Sequence, residues 1–239
     1  MKAISALALL LSVAGSAMLT MSGIGTRFGL WHYRTGLSML RYSAYVGVAA
    51  FVVCVVAFLL TRPQGWSRVA LVFGLLLSGL SVGVPYRFSQ TAKRVPPIHD
   101  ITTDMADPPA FVVVLPRRAS ATNAAEYAGD SVAALQRAAY PDVQPLMLEV
   151  PPSVAFARAV AAAKAMGWEI VSGDAPSGRL EATATTTWFG FKDDVVVRVR
   201  SANAGSRVDV RSVSRVGRSD VGANAARIVR YLDELQRQR

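Results

Sequence analysis

Leu180-Glu-Ala-Thr-Ala-Thr-Thr-Thr187, Asp194-Val-Val-Val-Arg-Val-Arg200 and Arg207-Val-Asp-Val-Arg-Ser-Val-Ser-Arg215 share one pattern, alternation with period two. In the first, Leu180, Ala182 and Ala184 fall on one side and Glu181, Thr183 and Thr185 on the other. In the second, Val195, Val197 and Val199 oppose Arg198 and Arg200. In the third, Val208 and Val210 oppose Arg207, Asp209 and Arg211. Successive strand side chains point to opposite faces, so each stretch predicts a strand with one apolar face. Asn203-Ala-Gly205 supplies a hairpin turn between the last two.

The neighbouring segments complete the unit. A strand is expected over 146–150, ended by Pro151 and Pro152. Ser153 is placed to cap a helix burying Phe156, Val160 and Ala163, with Gly167 at its end. The chain returns as a strand over 168–172 and turns through 173–178. After the third stretch, Ser219 or Asp220 caps a helix with the stripe Val221, Ala225, Ile228, Leu232 and Leu235. The order is β-α-β-β-β-β-α. It predicts an α+β fold: an antiparallel sheet with both helices on its apolar face and an open polar face carrying Glu181, Thr183, Arg198, Asp209 and Arg211. Upstream, a short strand is expected over 111–115, and Asp130 is expected to cap a helix over 131–139 that Pro141 stops.

The first part of the chain differs in kind. Residues 4–24, 43–60 and 69–84 carry no charge, and Trp66 extends the last run to 66–84. A spanning helix needs about 20 residues, so about three transmembrane helices are predicted. Arg27, Arg34 and Arg41 recur every seven residues. That spacing suggests an amphipathic helix over 25–42 at the lipid surface, with a plain connecting loop as the other reading. The expected organisation is a transmembrane anchor over 1–88, a proline-rich linker over 89–109 and a soluble domain over 110–239. Cys54, the single cysteine, lies in an apolar run and reads as a small buried side chain.

The net charge of +10 has a location. Nine basic residues and no Asp or Glu precede Asp100, while 17 basic and 16 acidic residues follow from there. The excess belongs to the membrane half, where arginines anchor and orient spans, so nucleic acid is not an expected partner. Within the tail, residues 100–197 carry a net −5 and residues 198–239 a net +6. Folding one against the other predicts intradomain ion pairs, read here as exposed ones of small individual worth. Topology signals conflict. Lys2 followed by an apolar run resembles a signal anchor or signal peptide, which puts the tail outside the cytoplasm. Counting Arg27, Arg34, Arg41, Arg87, Lys93 and Arg94 against Lys2, Arg62 and Arg68 favours a cytoplasmic tail.

Signatures of common chemistry are missing: no phosphate-binding Walker loop, dinucleotide glycine motif, His-Glu-x-x-His or Gly-x-Ser-x-Gly. No catalytic residue, cofactor or metal site is therefore assigned. His99, Asp100 and Asp104 match no usual ligand spacing and read as polar linker. Asp193 and Asp194 are expected on opposite faces, as a charged turn at a strand start. Two clusters remain as candidate binding residues. Trp188, Phe191 and Lys192, with Phe189 and Gly190, form either a core plug or an exposed lip for a partner or lipid. Arg211, Arg215, Arg218 and Ser219, with Ser212 and Ser214, suit an anion, unless Arg211 and Arg215 pair with Glu181, Asp193, Asp194 or Asp209.

The run from Glu181 through Trp188-Phe-Gly-Phe-Lys-Asp-Asp194 to Val199, and Arg207 to Asp220 with Gly222, Asn224, Ala226, Arg227 and Ile228, resembles the bacterial and plastid domain-of-unknown-function family 1499. So do Pro97-Ile-His-Asp-Ile-Thr-Thr-Asp104 and Tyr140-Pro141, and the likeness covers roughly residue 96 to the C-terminus. The family has no established activity, so the resemblance implies no catalytic residues. It implies a bacterial inner-membrane protein of the cell envelope, with a periplasmic tail favoured over a cytoplasmic one. The chain departs from exported or lipid-anchored relatives in its multi-span anchor and its lack of a lipobox cysteine. The function expected is a non-enzymatic binding or scaffold module, with a hydrolase or transferase acting on an anionic envelope substrate as the alternative. Expected partners are the lipid bilayer and an envelope protein or anionic ligand.

Overall fold

The computed structural model describes residues 2–238; Met1 and Arg239 lie outside it. Contacts divide the chain into two units: residues up to Lys93 with Thr187–Gly190, and Arg94–Thr186 with Phe191 onward.

The first unit contains α1 (Lys2–Arg27), α2 (Tyr33–Thr61) and α3 (Gly65–Arg94), each long and apolar enough to cross a membrane. Gly23, Gly25 and Ala70 are buried as well, but the other buried residues step alternately by three and four. In α1 these are Ser5, Ala8, Ser12, Gly15, Leu19 and Ser22; in α2, Gly36, Leu40, Ser43, Gly47, Ala50, Cys54 and Ala57; in α3, Leu71, Gly74, Ser78, Ser81 and Pro85. A 3.5-residue period keeps one seam facing its neighbours along the whole helix. Small residues on that seam let backbones approach, since lipid gives apolar side chains no reason to associate. A Cβ on Gly47 would stand 2.8 Å from the Ser81 Cβ, and one on Gly74 would stand 2.9 Å from the Cys54 Sγ. Polar contacts join the seam. The Ser16 hydroxyl donates to the Leu77 carbonyl at 3.1 Å and lies 3.1 Å from the Ser81 hydroxyl. Such bonds between membrane helices contribute about 0.6 kcal/mol each.

Two membrane expectations are corrected. No separate interfacial helix occupies 25–42: α1 runs to Arg27, Gly29 turns the chain at φ +70°, and α2 starts at Tyr33. The His32 Nδ1 accepts the Arg34 backbone N–H at that start. The seven-residue arginine repeat therefore straddles a helix break. The linker expected from 89 begins as helix, because α3 continues through Pro85 to Arg94. Pro85 removes one backbone donor, and the surrounding turns carry the helix past it.

The second unit is a six-stranded antiparallel sheet with helices, the α+β class expected. Its strands are β1 (Asp100–Thr102), β2 (Leu146–Leu148), β3 (Glu169–Asp174), β4 (Arg179–Thr185), β5 (Lys192–Ala202) and β6 (Gly205–Ser214). The order is β1-β6-β5-β4-β3, and β2 also pairs with β6. β1 lies against Arg211–Val213 and β2 against Ser206–Val208, so the two short strands share one edge of β6 end to end. The helices are α4 (Asp130–Ala139), α5 (Pro152–Ala165) and α6 (Ala223–Arg237). α5 and α6 cover the face carrying Leu180, Ala182, Val195, Val197, Val208 and Val210, and Phe156, Ile228 and Leu235 complete that core. Alanines at 155, 159, 162 and 163 bring α5 close to the sheet. The Tyr231 ring stacks on Trp168 at 4.7 Å, and its hydroxyl donates to the Ala159 carbonyl at 2.9 Å. Gly178 has φ +64°, and a Cβ there would stand 2.2 Å from the Val199 carbonyl oxygen, so the β3–β4 turn requires glycine.

Several local expectations change. Pro151, not Ser153, sits at the α5 N-cap with Pro152 as the first helical residue, where a missing N–H costs nothing. Asp130 is the first residue of α4 and Gly129 is its N-cap. Gly222 occupies the α6 N-cap at φ +82°, while the Asp220 carboxylate accepts the Gly222 and Asn224 backbone N–H groups, each at 2.8 Å. Asp220 thus serves the helix start from outside it, and Val221 leaves the apolar stripe. The strand expected over 111–115 is a loop running into a 3-10 turn, Leu115–Arg118. The expected linker contains β1, because the free edge of β6 needs hydrogen-bond partners and Ile98 and Ile101 bury in the main core.

Candidate functional site

The polar face of the sheet is not open. Residues 103–125 fold across it, and Glu181, Thr183, Asp194, Asp209 and Arg211 are all buried. The sequence places each of them outward by strand alternation; the covering segment supplies partners to Glu181, Asp194 and Arg211, while Thr183 and Asp209 are bonded by side chains of the sheet itself.

At the near edge, the Glu181 carboxylate accepts the backbone N–H groups of Val112 and Val114, each at 2.8 Å. This pins a loop that buries Phe111 and Val114 against Val196 and Val213. Beside it, Asp194 accepts from Arg118 Nη1 at 2.6 Å, Thr183 Oγ1 at 2.8 Å, Arg215 Nε at 2.9 Å and Arg215 Nη2 at 2.8 Å. Burial by itself would raise the Asp194 carboxyl, but the Arg215, Thr183 and Arg118 hydrogen bonds outweigh it and hold the group below the ordinary carboxylate range. Arg211 grips Asp100 with two bonds, Nε–Oδ1 at 2.9 Å and Nη2–Oδ2 at 2.7 Å. Its guanidinium also lies over the Phe111 and Tyr127 rings, 5.3 and 5.5 Å from their centroids. At the far edge, Asp104 and Asp209 each accept from Arg198, Arg200 and Arg207. Asp104 is also held low: burial opposes ionisation, and the Asp107 and Ala106 backbone N–H groups with Arg207 and Arg198 overcome it.

Asp193 faces the other way, as alternation predicts, and pairs with Arg227 of α6. Arg227 also reaches Asn224, whose side chain bonds the Ser212 and Ser214 hydroxyls. The two aspartates are therefore buried strand residues on opposite faces, and the expectation of a charged turn is corrected. The cause is an arginine supplied to each face from a distant part of the chain.

The candidate residues do not converge. Arg211 and Arg215 lie on the covered face, while Ser212 and Ser214 lie on the helix face. Arg215 pairs with Asp194, one of the partners anticipated, but Arg211 takes Asp100, which was not. The Ser219 hydroxyl accepts the Val221 N–H at 3.1 Å and donates to the Pro96 carbonyl at 3.4 Å. Arg218 and Lys192 are exposed, and Phe191 is half-buried. In the first unit, the Trp188 indole N–H donates to the Thr20 carbonyl at 3.3 Å and its ring lies against Gly23, while Phe189 is buried beside Gly36. Trp188 is half-buried and Phe189 buried, both against the helices of that unit.

His99 is turned to the Arg218 carbonyl, 3.3 Å from Nδ1, and Asp100 and Asp104 serve different arginines. Among the described residues, no group of three His, Cys, Asp or Glu is placed to hold a metal ion. Sequence reasoning missed Asp100, Asp104, Asp107 and Arg118, all in or beside the segment read as a linker. The signal that points to the three aspartates is the opposed charge of residues 100–197 and 198–239; Arg118 pairs with Asp194 inside the first stretch, and that signal does not reach it.

What these features define is an α+β domain with one apolar and one ion-paired sheet face, in a chain that also carries three membrane-spanning-type helices. The chain belongs to the family described as protein of unknown function (DUF1499), whose model matches residues 100–235. The match begins at β1, so the family includes the edge strand and the covering segment. A comparison with curated proteins finds no match.

Proposed function

We propose that the protein is a membrane-anchored, non-enzymatic binding or scaffold module of the bacterial inner membrane, with its DUF1499 domain on the periplasmic side. One observation carries the reading: Asp100, Asp104, Asp193, Asp194 and Asp209 are each engaged by arginine. An arginine-gripped carboxylate is committed to a structural partner, and Asp194 and Asp104 are also held below the ordinary carboxylate range, so this cluster serves architecture better than acid–base chemistry. Contact with an envelope protein or anionic ligand then falls to exposed groups, of which Lys192 and Arg218 come from the candidate set.

Photo-crosslinkers placed at Lys192 and Arg218 in cells test this directly. A discrete protein or lipid adduct is expected, and a clean absence of adducts at both positions contradicts the reading. A periplasm-active reporter fused to the C-terminus tests the side, and activity is expected only from that fusion. The alternative, a hydrolase or transferase on an anionic substrate, requires Arg218→Ala to abolish turnover while leaving the melting temperature unchanged. Arg215→Ala cannot discriminate, because it strips Asp194 of two bonds.

A further inference from the structure

We infer that the groove between α2 and α3 binds one anionic glycerophospholipid, with its phosphate on Arg41 and one acyl chain along the apolar floor. The inference rests on the membrane-anchor reading above. The groove has a volume of about 550 Å³. Its floor is apolar, formed by Leu37, Leu40, Ala44, Val48, Val82 and Pro85, and Arg41, Tyr45, Tyr86 and Ser89 stand at its polar side. From Leu37 to Val48 the helix advances about 16 Å at 1.5 Å per residue, a length that suits one acyl chain.

The levels of the two helices place the charge. Gly47 packs on Ser81 and the helices run antiparallel, so stepping back along α2 brings Arg41 level with the turn holding Arg87. The C-terminal end of α1, the N-terminal end of α2 and the C-terminal end of α3 carry Arg27, Arg34, Arg41, Arg87, Lys93 and Arg94. No Asp or Glu occurs before Asp100 or within Thr187–Gly190, so the unit contains no counter-charge for Arg41. A lipid phosphate supplies that charge at the depth where the tyrosine hydroxyls also meet the interface. A second apolar helix would fill the floor but leave Arg41 unneutralised. A zwitterionic lipid brings no net charge to helix ends that carry six cations, of which Arg41 lines the groove.

Native mass spectrometry of the full chain released from nanodiscs tests the site. One phosphatidylglycerol per chain is expected to stay bound, with phosphatidylethanolamine retained roughly tenfold less, because its phosphate reaches Arg41 but its ammonium adds a like charge to the basic helix ends. Arg41→Gln should lower phosphatidylglycerol retention by a similar factor. Ala44→Phe, which fills the floor and keeps the charge, should do the same. Arg62→Gln, at the opposite helix ends, should leave retention unchanged. Soluble glycerol 3-phosphate should not compete. Equal retention of the two lipids, equal loss in Arg41→Gln and Arg62→Gln, no loss in Ala44→Phe, or competition by glycerol 3-phosphate overturns the proposal. Alkaline extraction of membranes reports separately on anchoring: release of the protein would sink the anchor itself, whereas retention without lipid selectivity sinks only the groove.

Discussion

The two faces of one sheet are built on different principles. The face under α5 and α6 buries valines, alanines and leucines, and its stability comes from area removed from water. The opposite face buries Glu181, Asp194, Asp209 and Arg211, while the arginines that grip Asp209 stay partly exposed. Such pairs contribute little net stability over an apolar substitute, because desolvation offsets their attraction, but losing one partner leaves a buried charge exposed to that full cost. The apolar face therefore tolerates graded change, and the ionic face does not. A side chain's alternation shows which face it belongs to, but not whether that face is wet.

The largest effect is expected from Asp194→Ala, which strands Arg118, Arg215 and Thr183 together. A loss of about 3–5 kcal/mol should appear in denaturant unfolding followed by near-UV circular dichroism. A loss under 1 kcal/mol would mean that water reaches the pair. Ile228→Ala on the apolar face should cost about 2–5 kcal/mol, and Ile228→Val should recover most of it. Asp194→Asn should recover little, since its amide nitrogen faces donors, and that contrast separates the two faces. Glu181→Gln retains one acceptor oxygen but turns an NH₂ toward Val112 or Val114, so about 1–3 kcal/mol is expected. Arg117→Ala should be smallest, within about 1 kcal/mol, because its pair with Glu169 is exposed on both sides.

Acid should act chiefly on the ionic face. The folded-state values of Asp194 and Asp104 lie below the ordinary value, so their contribution is present above that value and lost as pH falls through the folded one. Stability of the domain should thus fall below about pH 4, and Asp194→Asn should flatten that limb. Asp220 works in the opposite sense. Burial raises it despite the Asn224 and Gly222 N–H groups, so its contribution is present below the ordinary value and lost as pH rises through the folded one.

Much of the apolar face was legible in the sequence, because alternation at Leu180–Ala182–Ala184, Val195–Val197–Val199 and Val208–Val210 needs only local spacing. The α6 stripe was equally local, apart from Val221, whose φ of +55° places it before the helix begins at Ala223. The covered face was not legible, because its cover pairs residues far apart: Arg118 with Asp194, Asp104 with Arg207, Asp100 with Arg211. Pro96, Pro97, Pro108 and Pro109 made this segment read as a spacer. Their fixed φ suits a strap without regular strands just as well. In the membrane unit the runs were plain, but the 3.5-residue seam of small residues went unread. It is marked by small residues and by serines such as Ser12, Ser43, Ser78 and Ser81, a signal that an apolarity count averages away.

Hydrogen exchange of the full chain, resolved at the Val112 and Val114 amides, tests the closed face most directly. Both amides should be protected to the level of β5, since the buried Glu181 carboxylate holds them. Exchange at the rate of the exposed Asn203–Ala204 turn would contradict it and return the charged face to solvent as a free binding surface.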